Sequence, residues 1–262
     1  MLKISNAYKE FNLTGNELDK RVALNNINLE IEEGDFITVI GGNGSGKSTL
    51  LNCISGTYLL DNGSIIIDDK DITKEEEHKR AKYLGRVFQD PNMGTCKDMS
   101  IIENLMVASR RNKRLSLRWG FNNKRNDEFK EKLKMLDLGL EDRLETKVGL
   151  LSGGQRQAVT LIMASLNKPK LLLLDEHTAA LDPKTAKKVL EITDEIVRKD
   201  HITTLMITHN MKDAIKYGNR LIMLNHGKIV FDVKGEEKKN LTIETLLNKF
   251  DDCVDDNLVL SD

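Results

Sequence analysis

The sequence has few cysteines, few aromatic residues and no long apolar run. Its three cysteines, Cys53, Cys96 and Cys253, are scattered over 262 residues, a spacing that matches no disulfide framework or cysteine metal site. No apolar stretch approaches the roughly 20 residues that span a bilayer. The first residues also lack the charged-then-apolar order of a signal peptide. From these absences we expect a cytosolic, reduced protein with no membrane segment of its own.

An excess of charge of one sign is also lacking. The 40 Lys and Arg residues nearly balance the 41 Asp and Glu residues. No broad basic surface is therefore indicated, and we expect no nucleic-acid partner. Hydrophobic residues make up 39% of the chain and aromatic residues 5%, as in many soluble α/β proteins. The length is sufficient for a full hydrophobic core.

Short apolar runs alternate with helical stretches along the chain, a pattern typical of an α/β fold. Asn62-Gly63 predicts a tight turn ahead of an apolar run. A second turn is predicted at 225–227. The predicted strands are 24–31, 35–40, 65–67, 81–88, 170–174, 203–207, 220–224 and 229–232.

Helical periodicity is found in four other stretches. Helices are predicted over 47–55, 100–110, 127–136 and 242–250. The last is amphipathic, with apolar residues at i, i+3, i+4 and i+7, namely Ile243, Leu246, Leu247 and Phe250. We expect the acidic residues beyond this helix to be solvated, namely Asp251, Asp252, Asp255 and Asp256.

A glycine-rich run follows the strand predicted at 35–40 and has the G-x-x-x-x-G-K-S spacing of a phosphate-binding loop, or P-loop. Its glycines let the backbone approach a phosphate and direct N–H groups at the oxygens, and the following helix adds its dipole. Lys47 is predicted to bind the β- and γ-phosphates, Ser48 to bind Mg²⁺, and Thr49 to add a phosphate contact. The predicted nucleotide-binding residues of this run are Gly41, Gly42, Asn43, Gly44, Ser45, Gly46, Lys47, Ser48 and Thr49.

Two further motifs lie downstream. In the run 151–155, Leu-Ser-Gly-Gly-Gln, Ser152 and Gln155 have capping-box spacing and predict a helix start. A capped helix end with two glycines, Gly153 and Gly154, also presents N–H groups that attract an anion. Four leucines at 171–174 predict a buried strand that ends in two adjacent acids, Asp175 and Glu176.

In this order, the P-loop, the 151–155 run and the acidic pair resemble the ATP-binding subunits of ABC transporters, from about Leu2 to Phe231. The resemblance implies a P-loop NTPase with a RecA-like core, an N-terminal antiparallel β subdomain and a helical subdomain. The ABC ATPase domain is expected over 1–240, with the helical subdomain inserted at about 92–158. A C-terminal helix and acidic tail follow over 241–262. ATP and Mg²⁺ are the implied cofactors.

The resemblance also implies catalytic roles for individual residues. It makes Asp175 a holder of the Mg²⁺ shell and Glu176 the general base for the attacking water. Gln89, at a strand end, matches the glutamine that senses Mg²⁺ and nucleotide and transmits closure to the membrane subunit. His209, at another strand end, matches the switch histidine that contacts the γ-phosphate. Ser152, with the rest of its run, is expected to bind the γ-phosphate held by the other subunit.

Three assignments are less direct. Asp182 matches the family's D-loop aspartate, which crosses the dimer seam. Phe11 matches the aromatic that stacks on adenine after the first strand; Tyr8 is the alternative, and either could belong to the core. His177 follows Glu176 where the family usually has proline, and in this the chain resembles a subgroup of bacterial importer ATPases that lacks the proline. No partner ligand accompanies His177, so no metal site is predicted there.

The resemblance implies a homodimeric, Mg²⁺-dependent ATPase motor of a bacterial transporter, peripheral on the inner face of the cell membrane. Each of two ATP molecules is expected between one subunit's P-loop and the other's 152–155 run. Separate permease subunits and an extracellular substrate-binding protein are the expected partners. The segment 99–105 and the basic stretch 110–125 look like those of amino-acid importers, although the basic stretch could be a plain solvated loop. The alternatives are an exporter motor and a soluble ABC ATPase of cofactor or cluster assembly.

Overall fold

A computed structural model describes residues 1–12, 19–111 and 123–258. The chain divides into two compact units, one of residues 1–80 with 203–262 and the other of residues 81–202. Most of the basic stretch predicted at 110–125 lies outside the described residues, as do residues 259–262. None of the helices in the described ranges is both long enough and apolar enough to cross a membrane.

The first unit contains two sheets. Its strands are β1 (Leu2–Asn12), β2 (Lys20–Ile31), β3 (Phe36–Ile40), β4 (Asn62–Ile67), β5 (Lys70–Asp71), β8 (Thr204–Ile207), β9 (Arg220–Asn225) and β10 (Lys228–Lys234). One sheet is antiparallel, in the order β2-β1-β4-β5. In the other, β3 lies parallel to both β8 and β9, and β10 pairs antiparallel with β9. All five residues of β3 are buried, as its mostly apolar sequence predicts.

The tight turn predicted at Asn62-Gly63 is wrong, because both residues open β4 and Asn62 pairs with Tyr8 of β1. Gly63 has a φ of +93°, and a Cβ there would lie 2.4 Å from the carbonyl oxygen of Asn6. The pairing of β1 with β4 is irregular between Ser5 and Tyr8. Gly63 therefore provides the close backbone approach that a β-bulge needs, not a chain reversal.

The helices of the first unit are α1 (Lys47–Ser55), α2 (Glu77–Arg80), α7 (Met211–Lys216), α8 (Glu236–Lys239) and α9 (Ile243–Leu258). On α9, Leu246 is fully buried in a cluster with Ile40 and Met223, and Phe250 packs against that cluster. Ile243 and Leu247 are 37% and 46% exposed, so only half of the predicted apolar face is covered. The helix also runs further than predicted and includes the acidic residues expected beyond it.

A buried arginine holds the C-terminal end of α1, the helix that follows the P-loop. Arg80 is 0% exposed and donates to the carbonyl oxygens of Cys53 at 2.6 Å and Ile54 at 3.0 Å. It also donates to those of Glu75 and Thr73. Burial lowers the pKa of Arg80, and the negative end of the helix dipole compensates part of that cost. These contacts position α1, and with it the loop at its N-terminus.

A buried lysine predicts how stability depends on pH. Lys238 is 2% exposed and donates to the carbonyl oxygen of Tyr217, and burial lowers the pKa of Lys238 from 10.5 to about 8. Between these two values the unfolded chain binds more protons than the folded one, so the free energy of unfolding rises with pH. We expect this rise to reach about 3 kcal/mol.

Urea unfolding at both ends of this pH window measures the effect. Lys238→Met should lose the rise, while Lys239→Met, at a neighbouring lysine whose side chain is 70% exposed, should keep it. The same rise in both variants would contradict the assignment to Lys238.

The second unit has two parallel strands, β6 (Leu84–Val87) and β7 (Leu171–Asp175), paired from Leu84–Leu171 to Val87–Leu174. The four leucines of β7 are fully buried. Its helices are α3 (Ile101–Ser109), α4 (Asn123–Lys134), α5 (Gly153–Ser165) and α6 (Pro183–Asp200). Ser100 and Glu103 form a capping box at the start of α3. The predicted α/β class, with an N-terminal antiparallel sheet and a helical segment after β6, is confirmed.

Candidate functional site

The P-loop connects β3 to α1 and is shaped by two glycines that no other residue could replace. A Cβ on Gly41 would lie 2.3 Å from the carbonyl oxygen of Leu224. A Cβ on Gly46, whose φ is +103°, would lie 2.4 Å from that of Ala23. The loop thus exposes backbone without side chains and leads into a helix N-terminus, an arrangement suited to binding a phosphate group.

The polar side chains of the P-loop fit an anion. Lys47 is only 7% exposed, and its Nζ donates to the carbonyl oxygens of Gly41 at 2.9 Å and Gly42 at 3.0 Å. The buried Ser45 Oγ has no hydrogen-bond partner among the described residues. Ser48 is exposed at the first turn of α1, and Thr49 is half-buried. Gly42, Asn43 and Gly44 are exposed and complete the loop.

His209 lies at the same edge of the sheet as the P-loop. The backbone N–H of Thr208 donates to the carbonyl oxygen of Val39 at 3.1 Å and keeps β8 beside β3. His209 follows as an exposed residue, and Asn210 then caps α7 by accepting from the backbone N–H of Lys212 at 2.9 Å. Because β3 and β8 are parallel, the structure brings His209 and the P-loop to the carboxyl ends of adjacent strands.

Of the two candidate adenine-stacking residues, Phe11 lies within β1, not after it as predicted. Its ring meets that of Tyr58 edge to face, with centroids 5.2 Å apart, and the Nζ of Lys9 lies 5.5 Å from its centroid. The Tyr8 hydroxyl donates to Glu10 Oε2 at 3.0 Å, a bond that raises the pKa of Tyr8. Neither Phe11 nor Tyr8 belongs to the buried core. Sequence reasoning missed Tyr58, because no local motif marks it.

In the second unit, the two acids lie where β7 ends. Asp175 is the last residue of β7, and Glu176 follows with a φ of +43°. Arg86 Nη2 lies 3.7 Å from Asp175 Oδ2, and its guanidinium stacks 4.5 Å over the ring of Phe88. Sequence reasoning missed Arg86, which reaches Asp175 only because β6 and β7 are adjacent.

The capping box predicted at the start of α5 is confirmed. Ser152 Oγ accepts from the backbone N–H of Gln155, and Gln155 Oε1 accepts from that of Ser152, both at 3.2 Å. Ser152 and Gly153 are exposed, whereas Gly154 is buried so closely that a Cβ would lie 1.9 Å from Thr185 Cγ2. The first turn of α5 therefore presents backbone to solvent, as an anion-binding helix end requires.

Gln89 is exposed just after β6, and α5 holds the segment around it. The fully buried Gln157 donates through Nε2 to the carbonyl oxygen of Phe88 at 2.9 Å, and Arg156 donates to Asn92 Oδ1. Sequence reasoning missed Gln157, although its place one turn into the capped helix could have marked it. Residues of α5 thus contact the chain on both sides of Gln89.

The segment after Glu176 leads to α6. Asp182 caps α6 by accepting from the backbone N–H of Thr185 at 3.1 Å, and hydrogen bonds from Thr185 lower the pKa of Asp182. His177 is 2% exposed, with its Nε2 3.1 Å from Thr193 Oγ1. Burial lowers the pKa of His177 to about 4, so the imidazole is neutral at pH 7. His177 is therefore part of the packing around this segment.

Ser48 in the first unit carries a hydroxyl and Asp175 in the second unit carries a carboxylate, both oxygen ligands of the kind that Mg²⁺ takes. In the described ranges, no group of three or more His, Cys, Asp and Glu residues could hold a metal ion. Each residue by itself fits Mg²⁺, which takes one or two protein oxygens and completes its shell with phosphate oxygens and water.

Comparisons with known proteins agree with one another. Residues 24–179 match the family model described as ABC transporter. The chain is 50% identical to the tyrosine transport ATP-binding protein of Clostridioides difficile, over 97% of this chain and 100% of that protein. It is 32% identical to the phosphonates import ATP-binding protein PhnC of Lactococcus lactis, over 86% and 92%. The solved dimeric ATP-binding cassette MJ0796, bound to ADP and Pi, has 31% identity and a TM-score of 0.76, with 89% of this chain and 98% of that chain covered.

Proposed function

Since the chain belongs to the ABC transporter family of ATP-binding, ATP-hydrolysing proteins, we propose that it is the motor of a bacterial importer for a small solute such as an amino acid. The predicted family, P-loop fold and ATPase activity are confirmed by the comparisons. The single structural observation that carries the nucleotide-binding part of the proposal is the close-fitting glycine loop at 41–46 with Lys47 folded across it. This is the site of a phosphate ligand.

The P-loop residues 41–49 bind the phosphates of ATP in this proposal. The ammonium of Lys47 exchanges its bonds to Gly41 and Gly42 for the β- and γ-phosphate oxygens, because a charged acceptor binds more strongly than a neutral carbonyl. Ser48, Asp175 and Gln89 are the residues that would hold Mg²⁺, and the bound ion would neutralise phosphate charge. Phe11 is proposed to stack on the adenine, with its ring packed edge to face against Tyr58.

Hydrolysis is assigned to Glu176 and His209. Glu176 takes a proton from the attacking water as general base, and His209 donates a hydrogen bond to the γ-phosphate. The exposed position of His209 after β8 allows it to reach a ligand on the P-loop. The proton transfer to Glu176 belongs to the transition state, so it lowers the barrier without tightening ATP binding.

Two copies are proposed to act together as a homodimer or paired with a related subunit. In each copy, the loop residues 42–44 and the capped end at Ser152 and Gly153 are exposed. A second copy that covers them with its own motif would exclude water and strengthen their hydrogen bonds to a phosphate. Each ATP would then lie between one P-loop and the other copy's 152–155 run, with Asp182 at the seam.

An amino-acid substrate is supported by full-length similarity to a protein named for tyrosine transport. Import as the direction is supported by a relative named for phosphonate import. We propose an ATPase domain over 1–240, with a helical subdomain at about 92–158, and a C-terminal segment over 241–262. The partners are integral-membrane permease subunits and a substrate-binding protein. They keep the chain on the cytoplasmic face of the cell membrane. No nucleic acid is involved.

The permease contact is proposed for the segment between Gln89 and α3, which contains a natural exposed thiol. Asn104 holds this segment, since its Oδ1 accepts from the backbone N–H of Cys96 at 2.8 Å and its Nδ2 donates to the Cys96 carbonyl at 3.0 Å. Cys96 is exposed, whereas Cys53 is buried. We therefore expect a short thiol-reactive crosslinker in native membranes to join the chain to an integral-membrane protein through Cys96.

Cys96→Ser is the matched control and should abolish the membrane-protein crosslink while ATP binding stays normal. Mass spectrometry of the product identifies the partner. If Cys96 formed crosslinks only to a second copy of the chain, the proposed permease contact would be wrong. Recovery of the ATPase with no membrane protein at all would argue against a transporter motor.

A further inference from the structure

We propose that His177 and Thr193 act as positioning residues that hold Glu176, through the turn it occupies, in the geometry for hydrolysis. This inference rests on the proposed role of Glu176 as general base. It concerns the position at which this chain departs from the family's usual proline. The observation behind it is a buried hydrogen bond from His177 to the interior of α6.

The turn after β7 is unfavourable for the residue that occupies it. Glu176 has a φ of +43°, in the left-handed region that side chains with a Cβ rarely adopt. Its carbonyl oxygen accepts from the backbone N–H of Ala179 at 2.9 Å, which closes a tight turn. Such a conformation persists only when neighbouring contacts enforce it. The contact made by the next residue, His177, is one of those that hold this turn, and with it the backbone from which the Glu176 side chain projects.

The proton on the imidazole can be assigned from its partner. Thr193 Oγ1 donates its single proton to the carbonyl oxygen of Val189 at 2.8 Å. It can then only accept from His177 Nε2, 3.1 Å away. The neutral imidazole thus carries its proton on Nε2, and the chain of bonds runs from His177 through Thr193 to Val189.

The hydrogen bond between His177 and Thr193 connects the segment 176–182 to the interior of α6. Asp182, at the end of the segment that begins with Glu176, caps the first turn of α6. Thr193 lies in the interior of α6 and is 0% exposed. The segment is therefore held on α6 at its start through His177 and at its end through Asp182. With both atoms of the bond buried, water cannot replace a lost partner, and the segment must shift instead.

Thr193→Val tests this directly, because valine has the shape of threonine without the hydroxyl. We expect kcat for ATP hydrolysis to fall roughly tenfold or more, as displacement of a catalytic group does. The KM for ATP should change less than about twofold, because the phosphate-binding groups are untouched. Thr193→Ser keeps the hydroxyl and should retain normal kcat. A purely structural role predicts a lower melting temperature for Thr193→Val with unchanged kcat of the folded protein.

A second pair of variants tests His177, the other partner in the hydrogen bond with Thr193. His177→Gln can place an amide Nε2 donor towards Thr193 and should recover most of kcat, whereas His177→Leu, which fills the space without a donor, should not. Equal kcat for Thr193→Val and Thr193→Ser, or for His177→Gln and His177→Leu, would overturn the proposal. This pair decides the question if Thr193→Val does not fold.

A double-mutant cycle separates this inference from the proposed function. In a Glu176→Gln background, adding Thr193→Val should change the residual single-turnover rate by less than about twofold. The reason is that the general base, whose position Thr193 is proposed to fix, is already absent. If Glu176→Gln alone retains normal hydrolysis, the assignment of the base fails. If Glu176→Gln is inactive but Thr193→Val lowers its residual rate as much as it lowers that of the wild type, the positioning role fails instead.

Discussion

Glu176→Gln is expected to lower kcat for ATP hydrolysis roughly 10²–10⁴-fold, the usual contribution of a general base. The amide keeps the shape of the carboxylate but cannot take a proton from water. ATP should still bind through the P-loop, so the unhydrolysed nucleotide should trap a dimer. Phosphate release measures the first effect, and size-exclusion chromatography with ATP measures the second.

Two further variants give this prediction its controls. Lys47→Ala removes the buried ammonium from the P-loop and should weaken ATP binding as well as abolish turnover, so it should trap no dimer. Glu191→Gln neutralises a glutamate whose side chain is 48% exposed on α6 and should leave both properties unchanged. Near-normal hydrolysis by Glu176→Gln would show that another group acts as the base.

Mixing a Lys47→Ala chain with a Ser152→Arg chain is expected to restore part of the ATPase activity that each variant lacks alone. In a shared-site dimer, the mixed pair has one site with both lesions and one with neither. Lys47→Ala disables the P-loop, and Ser152→Arg replaces the exposed cap of α5 with a long charged side chain. Activity should rise on mixing if a single intact site turns over.

The control is a tethered dimer with both lesions in the same half, where each site contains one lesion. It should stay inactive, although it carries the same two substitutions in the same number. Equal activity of the tethered dimer and the mixed pair would count against a site shared between two copies.

The elements that the sequence predicts well are those decided by near neighbours in the chain. The P-loop spacing and the capping box of Ser152 and Gln155 depend on residues a few positions apart. Both were predicted, and the structure has the capping box as expected. The Asn62-Gly63 turn failed because the same dipeptide also fits a bulge, and only pairing with β1, more than fifty residues earlier, decides between them.

The sequence by itself determined the α/β class, the motifs and the chemistry that their residues can perform. Only the tertiary structure decided which side chains support those motifs. Arg86 reaches Asp175, Arg80 reaches the end of α1, and His177 reaches Thr193 across distances in sequence that no local pattern spans. The physical reason is that periodicity and capping are short-range effects, whereas burial and pairing of a polar group depend on which strands and helices pack around it.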